Sequence, residues 1–363
     1  MKIFFIQGDY PFCYYYRGYL PGIYLKQQVV SEFLRADMDT STVDYPKRAL
    51  EADVICFQRP SGKNALELAK LLRRKGKKII FDNDDTYSGI PLARLGSEKQ
   101  VAIAQELNKN LNEFARMADG ITTSTEFLAD EYRKLNPNVV VLKNCIDPRD
   151  QMKCKPNTTG KFRVGFIGSV TSNDDYVHIK EDLRKLDERG DTTIVIMGVK
   201  FSDGKIMPSM QEDHDFWASL KNVEWHPVCP VTEYMVRVAN LALDLAIIPR
   251  KDHYFNRCKS NLKFLEMSLL KIPVLAQGFT DGNSPYQGVD EKYMTIITDG
   301  GVSNLQWYNK IIEIKNEYDT YANLALEAHQ YVLDNYNVKT YAQQWQKSIE
   351  QLCLKASIKG QQA

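Results

Sequence analysis

The sequence lacks several features that would tie it to a membrane, a polyanion or a metal. No run of about 18 apolar residues occurs, which excludes a bilayer-spanning helix. Charge of either sign is missing in excess. Lys plus Arg number 47 against 46 Asp plus Glu, a formal charge of +1, so contact with nucleic acid or an anionic surface would have to be local. None of the seven cysteines, at 13, 56, 145, 154, 229, 258 and 353, stands in a C-x-x-C pair. That argues against a disulfide frame or a structural zinc site, suits a reducing compartment, and makes them core thiols. The five histidines, at 178, 214, 226, 253 and 329, show no metal-ligand spacing. His253, in PRKDHYFNR, is the one nearest the stretch that carries most chemistry, and it reads as incidental. Internal repeats and low-complexity segments are also absent.

What is present is a regular alternation. At 363 residues the chain is long enough for two domains, each with its own core. KIFFIQ at 2 to 7, DVICFQ at 53 to 58, KIIFD at 78 to 82, GITTS at 120 to 124 and VVVL at 139 to 142 are apolar on both faces, as buried parallel strands are. The opening MKIFFIQGDY meets Asp9 too early for a signal peptide and reads as the first of these strands. Helix-period segments at 23 to 35, 64 to 75 and 100 to 118 fill the gaps. KNCIDPRDQMKCKPNTTGK at 143 to 161 is polar and aperiodic, and marks a linker. The pattern then restarts with FRVGFIG, TTIVIMG, VEWHP, DLAIIP, PVLA and MTIITD.

The expectation is therefore an α/β fold of two doubly wound, Rossmann-like domains, residues 1–150 and 155–334, facing a cleft at their carboxyl edges. The tail from about 303 is helical with aromatic anchors, among them Trp307, Tyr336 and Trp345, and residues 335–363 are expected to return to the first domain.

The richest stretch is NRCKSNLKFLEMSLLKIPVLA at 256 to 276. Ser260 is a good N-cap for a helix opening near Asn261 and Leu262. A helix start offers free amides and partial positive charge, and Arg257, Lys259 and Lys263 add three cations nearby, a set suited to a diphosphate. Glu266 lies too deep in the helix to cap it and is placed to accept from the paired hydroxyls of a ribose. The competing reading is a solvated basic loop and an exposed helix carboxylate.

SNLKFLEMSLLKIPVLA resembles the C-terminal-lobe signature of GT-B glycosyltransferases of the retaining GT4 type (glycosyltransferase group 1). FRVGFIGSVTSNDD is similar to the first strand of that lobe and its Gly-Ser turn, at Gly168 and Ser169. VVVLKNCID, DGITTSTEFLADEYRK and YYYRGYLPGIYL resemble further segments in the same order, so the likeness spans most of the chain. It implies a donor site of Gly8, Arg17, Gly168, Ser169, Lys259, Ser260, Asn261, Leu262 and Glu266, with Lys263, Arg257 and Asp85 as catalytic residues. Arg17 could equally be a structural ion-pair partner, and the tyrosines around it packing residues. Two departures stand out. Cys258 occupies the position of the first Glu of the family's E-x7-E pair, and the turn GSVTSNDD has no Lys or Arg.

KKIIFDNDDTYSGIP at 77 to 91 places Asp82, Asp84 and Asp85 after a strand, toward the cleft. Three readings compete: an acceptor-binding set, a D-x-D site for a divalent metal at Asp82 and Asp84, or an Asx turn. The fold suggested by the restart at 162 favours the acceptor role. LLRRKGKK at 71 to 78 ends a helix, where cations suit the dipole. A weak contact with an anionic membrane is its minority reading.

The resemblance implies transfer of a sugar from a nucleotide-diphosphate donor, UDP for preference, to a hydroxyl acceptor. It implies retention, no required cofactor and no essential metal. Nucleic acid would be a partner only as acceptor, and a cytoplasmic location is expected. A nucleotide-sugar epimerase, an inverting transferase and a non-catalytic sugar-nucleotide or glycan-binding protein remain alternatives.

Overall fold

The computed structural model describes residues 1–7, 11–29, 45–86, 90, 98–168, 175–198, 211–298 and 305–362. The first sheet contains β1 (Ile3–Ile6), β2 (Gln28–Val29), β3 (Val54–Gln58), β4 (Lys78–Asn83), β5 (Gly120–Thr123) and β6 (Val139–Val141). Its order is β2-β1-β3-β4-β5-β6, and every pairing is parallel. The second sheet holds β7 (Phe162–Ile167), β8 (Thr192–Met197), β9 (Val223–His226), β10 (Leu245–Ile248), β11 (Val274–Gln277) and β12 (Thr295–Ile297). It is also parallel, ordered β12-β11-β10-β7-β8-β9.

In each sheet the winding direction reverses once, between β1 and β3 and between β7 and β10. A crevice opens at the carboxyl ends of the strands that flank such a reversal. The second sheet is buried on both faces, which explains its continuous apolar runs. Val164, Phe166, Ile194 and Ile196 pack with Trp217 and Trp307 on one side. Val195, Met197, Ala246 and Ile248 pack with Phe264 and Leu265 on the other.

The helix Val338–Gln362 lies on the first sheet, adding Trp345, Ile349 and Leu352 to a core built from Ile3, Phe5 and Ile121. Its approach to β5 is close. A Cβ on Gly120 would stand 2.8 Å from the Leu352 Cβ, so only a glycine seats the helix there. Five cysteines are buried, and Cys13 and Cys154 are half-buried.

One sequence expectation fails locally. The helical period at 23 to 35 does not give a helix through that span, because a short helix stops at Tyr24 and Gln28–Val29 form β2 against β1. Lys26 adopts a positive φ of 54°, which ends the helix, and the Gln27 side chain accepts from the Ile3 amide, which aligns the new strand. Sheet pairing outweighs helical propensity here. Immediately upstream, Tyr15–Tyr19 form a π-helical turn, a rare geometry that often accompanies functional sites.

Candidate functional site

A cavity of about 320 Å³ opens between the carboxyl edges of the two sheets. From the first lobe, Phe12, Cys13, Tyr16, Asp84, Asp85 and Asn144 line it. Gly168, Met197, Gly198, Cys229, Tyr234 and Arg250 come from the second, with Lys259, Ser260, Leu262, Lys263 and Glu266 around the signature helix.

That helix runs Leu262–Leu269 and opens one residue later than Ser260 capping would require. Asn261 is its N-cap without a side-chain cap hydrogen bond, because its amide donates to Asp290 at 2.5 Å and to the Tyr336 hydroxyl at 3.2 Å. Asn261 therefore braces the second lobe from outside the cavity lining. Ser260 instead accepts from Asn144 Nδ2 at 2.8 Å, a bond between the lobes.

Glu266 is not the exposed helix carboxylate of the competing reading. Only 2% exposed, it accepts from the hydroxyls of Tyr16 and Tyr234, each at 2.9 Å, and from Lys263 Nζ at 2.8 Å. Lys263 also donates to the Tyr234 hydroxyl at 2.7 Å. Burial, reinforced by the Glu266 charge, pushes both tyrosine hydroxyls well above their ordinary range, so they remain donors.

Across the mouth, Lys259 reaches Asp85 at 3.0 Å and Arg59 stands 3.6 Å from the same carboxylate. Burial alone would raise Asp85, but those two cations outweigh it and hold the carboxyl below its usual value. Asp84 accepts from Gln58 Nε2 at 3.1 Å.

Gly198, at the end of β8, has φ +92° and no room for a side chain, since a Cβ would lie 2.1 Å from the Gly168 carbonyl oxygen. The Gly168 amide donates to Met197 at 3.0 Å, so that turn is pinned from both sides.

Four expected site residues lie elsewhere. Arg17 is fully buried, in a forked pair with Asp82 at 2.6 and 3.1 Å, donates to Asn144 and to the Leu142 carbonyl, and rests 4.6 Å from the Trp345 ring. It is the structural partner, not a donor ligand. Asp82 is spent on Arg17 and on Thr122 at 2.6 Å, so it neither faces an acceptor nor shares a cation with Asp84. Burial pushes its carboxyl up against the pull of Arg17; we take the doubly bonded pair as ionised, because Arg17 keeps its charge.

Arg257 is held by Asp252 at 2.7 Å and Asp281 at 2.5 Å, outside the cavity lining, which removes it from the catalytic set. Asn261 is the fourth. Gly8 and Ser169 fall outside the described residues. Among the described residues no three His, Cys, Asp or Glu side chains group as a metal site, and no helix is long and apolar enough to cross a membrane.

Cys258 is fully buried, and its carbonyl accepts from Thr125 Oγ1 at 3.1 Å. His253 accepts from the Asn256 amide and caps the short helix Tyr254–Arg257. In the basic run, Arg73 donates to the Met117 carbonyl at 2.6 Å and Lys77 to Ala52 at 2.7 Å. Tyr234, Arg250, Arg59 and Gly198 were not singled out by sequence. A glycine closing TTIVIMG and an arginine closing DLAIIPR were the only local signals; Tyr234, inside an amphipathic helix, carried none.

No protein-family model and no curated protein matches the chain. Solved structures do. HepE from Anabaena, in complex with UDP-glucose, is 12% identical over 96% of this chain and 99% of its own, with a TM-score of 0.63. An alpha-glucosyltransferase in complex with UDP-glucose and DNA containing an abasic site is 12% identical over 96% of this chain and 98% of its own, with a TM-score of 0.63. TarM is 14% identical over 81% of this chain and 54% of its own, with a TM-score of 0.56, so the chain spans about half of TarM's length. The likeness is one of fold, and that fold is GT-B: two parallel α/β sheets meeting at a cleft.

Proposed function

We propose that the chain is a glycosyltransferase of the retaining GT4 type, moving a sugar from a nucleotide-diphosphate donor to a hydroxyl acceptor. The observation that carries this reading is the set formed by Lys263, Glu266, Lys259 and the start of the helix Leu262–Leu269, on the inter-lobe cavity at the β7 and β10 carboxyl edge. UDP is the donor nucleotide favoured, because HepE and the alpha-glucosyltransferase are complexes with UDP-glucose.

The chemistry follows from charge. The bond from the anomeric carbon to the diphosphate oxygen breaks, and its electron pair leaves on the diphosphate. Lys263, Lys259 and the helix amides meet that charge, rather than a divalent ion; fixed donors of this kind are each worth roughly 3 kcal/mol in the transition state. The acceptor oxygen then bonds to the anomeric carbon from the same face and its proton passes to the leaving phosphate. No protein nucleophile is needed. Glu266 accepts from the ribose, and Asp84 and Asp85 orient the acceptor. That acceptor is a small molecule, glycan, lipid, protein or nucleic acid, and DNA appears in one structural neighbour.

Incubating the protein with UDP- and GDP-sugars, with and without a broad acceptor panel, tests the reading. Release of nucleoside diphosphate, with the anomeric configuration of the product read by NMR, is the expected result. Donor consumed to an epimeric sugar without acceptor would instead indicate an epimerase, and an inverted product an inverting transferase. The position of Cys258 in the core, where it can touch no sugar, favours one second reading, a sugar-nucleotide-binding protein without turnover. Donor binding with no consumption would establish that reading.

A further inference from the structure

We propose that Arg250 is a phosphate-binding catalytic cation of the cleft, presented by β10 at the point where the second sheet reverses direction. The inference rests on the donor reading above and names a residue which that reading does not contain.

Position comes first. β7 and β10 are paired neighbours, with Phe166 opposite Ile247. Gly168 follows directly on β7 and Arg250 comes two residues after β10, so both belong to the carboxyl edge at the reversal, where a crevice for ligand forms. Both line the cavity. The sequence that follows β7, GSVTSNDD, contains no Lys or Arg.

Charge comes second. Among the described residues, three cations line the cavity, Arg250, Lys259 and Lys263, and so do three carboxylates, Asp84, Asp85 and Glu266. Lys259 is paired to Asp85 and Lys263 to Glu266, both across the cavity wall itself. Arg250 differs. Its carboxylate partner is Asp175, at 2.6 Å, which is fully buried and does not line the cavity. A cavity cation whose counter-charge sits behind it projects positive field forward.

Rigidity comes third. Asp175 is itself fixed by Asn256 Nδ2 at 2.6 Å, and the Arg250 side chain is only 11% exposed. Its Nε is buried with no hydrogen-bond partner among the described residues, and the buried Tyr286 hydroxyl lies near the guanidinium. Binding an oxyanion would cost such a side chain little further ordering, and a guanidinium fork matches two phosphate oxygens where an ammonium meets one. In the group transfer proposed above, Arg250 takes part in no bond change. Its N–H groups donate to the phosphate oxygens, where negative charge builds as the sugar leaves.

Isothermal titration of the full chain with UDP, GDP, inorganic pyrophosphate and the matching nucleoside tests the inference. Arg250→Gln should weaken nucleoside diphosphate and pyrophosphate about tenfold to a hundredfold, while nucleoside binding stays unchanged. Arg250→Lys should recover part of the loss.

Because Arg250→Gln strands the buried Asp175 charge and could unfold the lobe, a double variant with Asp175→Asn accompanies it. Diphosphate affinity within about twofold of the parent in that folded double variant would overturn the inference and leave the donor reading standing. Parallel loss of nucleoside binding would overturn it as well, since it would mark a structural role. A wild-type chain that binds no diphosphate at all would sink the donor reading, and the inference with it.

Discussion

The Tyr16 hydroxyl donates to the Glu266 carboxylate at 2.9 Å across the cleft, joining residues 250 positions apart in the chain. In this structure the carboxylate assigned to ribose is therefore already occupied by the opposite lobe. Tyr16 lies on the π-helical turn and Glu266 on the signature helix.

If the ribose takes over Glu266, the Tyr16 bond has to yield. Tyr16→Phe removes that competitor and leaves the empty protein with one fewer inter-lobe hydrogen bond. A hydrogen bond to a charged group is worth about 1.5 to 3 kcal/mol, so UDP should bind about tenfold tighter or better, measured by calorimetry. Weaker binding would mean that the tyrosine stays bonded in the complex.

Lys263→Ala removes a cation that reaches both Glu266 and Tyr234. Turnover of a UDP-sugar should fall about a hundredfold to a thousandfold, with circular dichroism unchanged. A rate within a few-fold of the parent, at saturating donor, would remove Lys263 from the catalytic step.

Arg17→Met tests the buried pair with Asp82. Taking one partner from a buried ion pair costs about 3 to 5 kcal/mol, so the unfolding midpoint in urea should drop sharply. Arg17→Met with Asp82→Leu should win most of this back. Diphosphate affinity of the folded variants should match the parent, because neither residue lines the cavity; a selective loss of affinity would return Arg17 to the donor site.

Asp85 gives the closed lobes an acid limit. Its folded pKa lies below the ordinary value, near 3.9 for the unfolded chain, so its stabilising contribution is complete above about pH 4 and is lost as pH falls through the lower, folded value. Asp85→Asn should therefore lower Tm by a constant amount between about pH 5 and 7, and that difference should close below about pH 4. A difference that grows on acidification would contradict the assignment.

Gly198→Ala combines a strained φ with a collision against Gly168, whereas Gly190, at φ +74°, has nothing within 4 Å of an added Cβ. Each substitution should cost about 1 to 2 kcal/mol of backbone strain. Only Gly198→Ala should also weaken UDP binding, because only it displaces the turn beside the donor. Equal binding by the two variants would count against a donor site at Gly168.

Much of this fold was legible because buried parallel strands announce themselves. FRVGFIG and TTIVIMG are apolar on both faces and occupy a sheet covered on both. The span from 23 to 35 was misread because Lys26 breaks the helix by a backbone angle that residue type does not encode. At the site, Lys259, Ser260, Leu262, Lys263 and Glu266 share one short segment, so local spacing was enough to group them. Arg17 and Arg257 show the limit of that method. Sequence reveals a cation but not its counter-charge, and Asp82 and Asp281 meet them only through tertiary contacts. Tyr234 was invisible for the converse reason, since nothing near it in the chain marks it as facing the cleft, and Arg250 carried only the weak signal of closing DLAIIPR.

The helix over Gly120 has a bearing on how the polypeptide comes into being. Synthesis delivers β1 to β6 first, yet Trp345, Ile349 and Leu352, which complete the interior of that sheet, come more than two hundred residues after β5. The first sheet must therefore wait, unfinished and with apolar surface uncovered, until Trp345, Ile349 and Leu352 have been made. Its final closure and the tethering of both halves then become a single event.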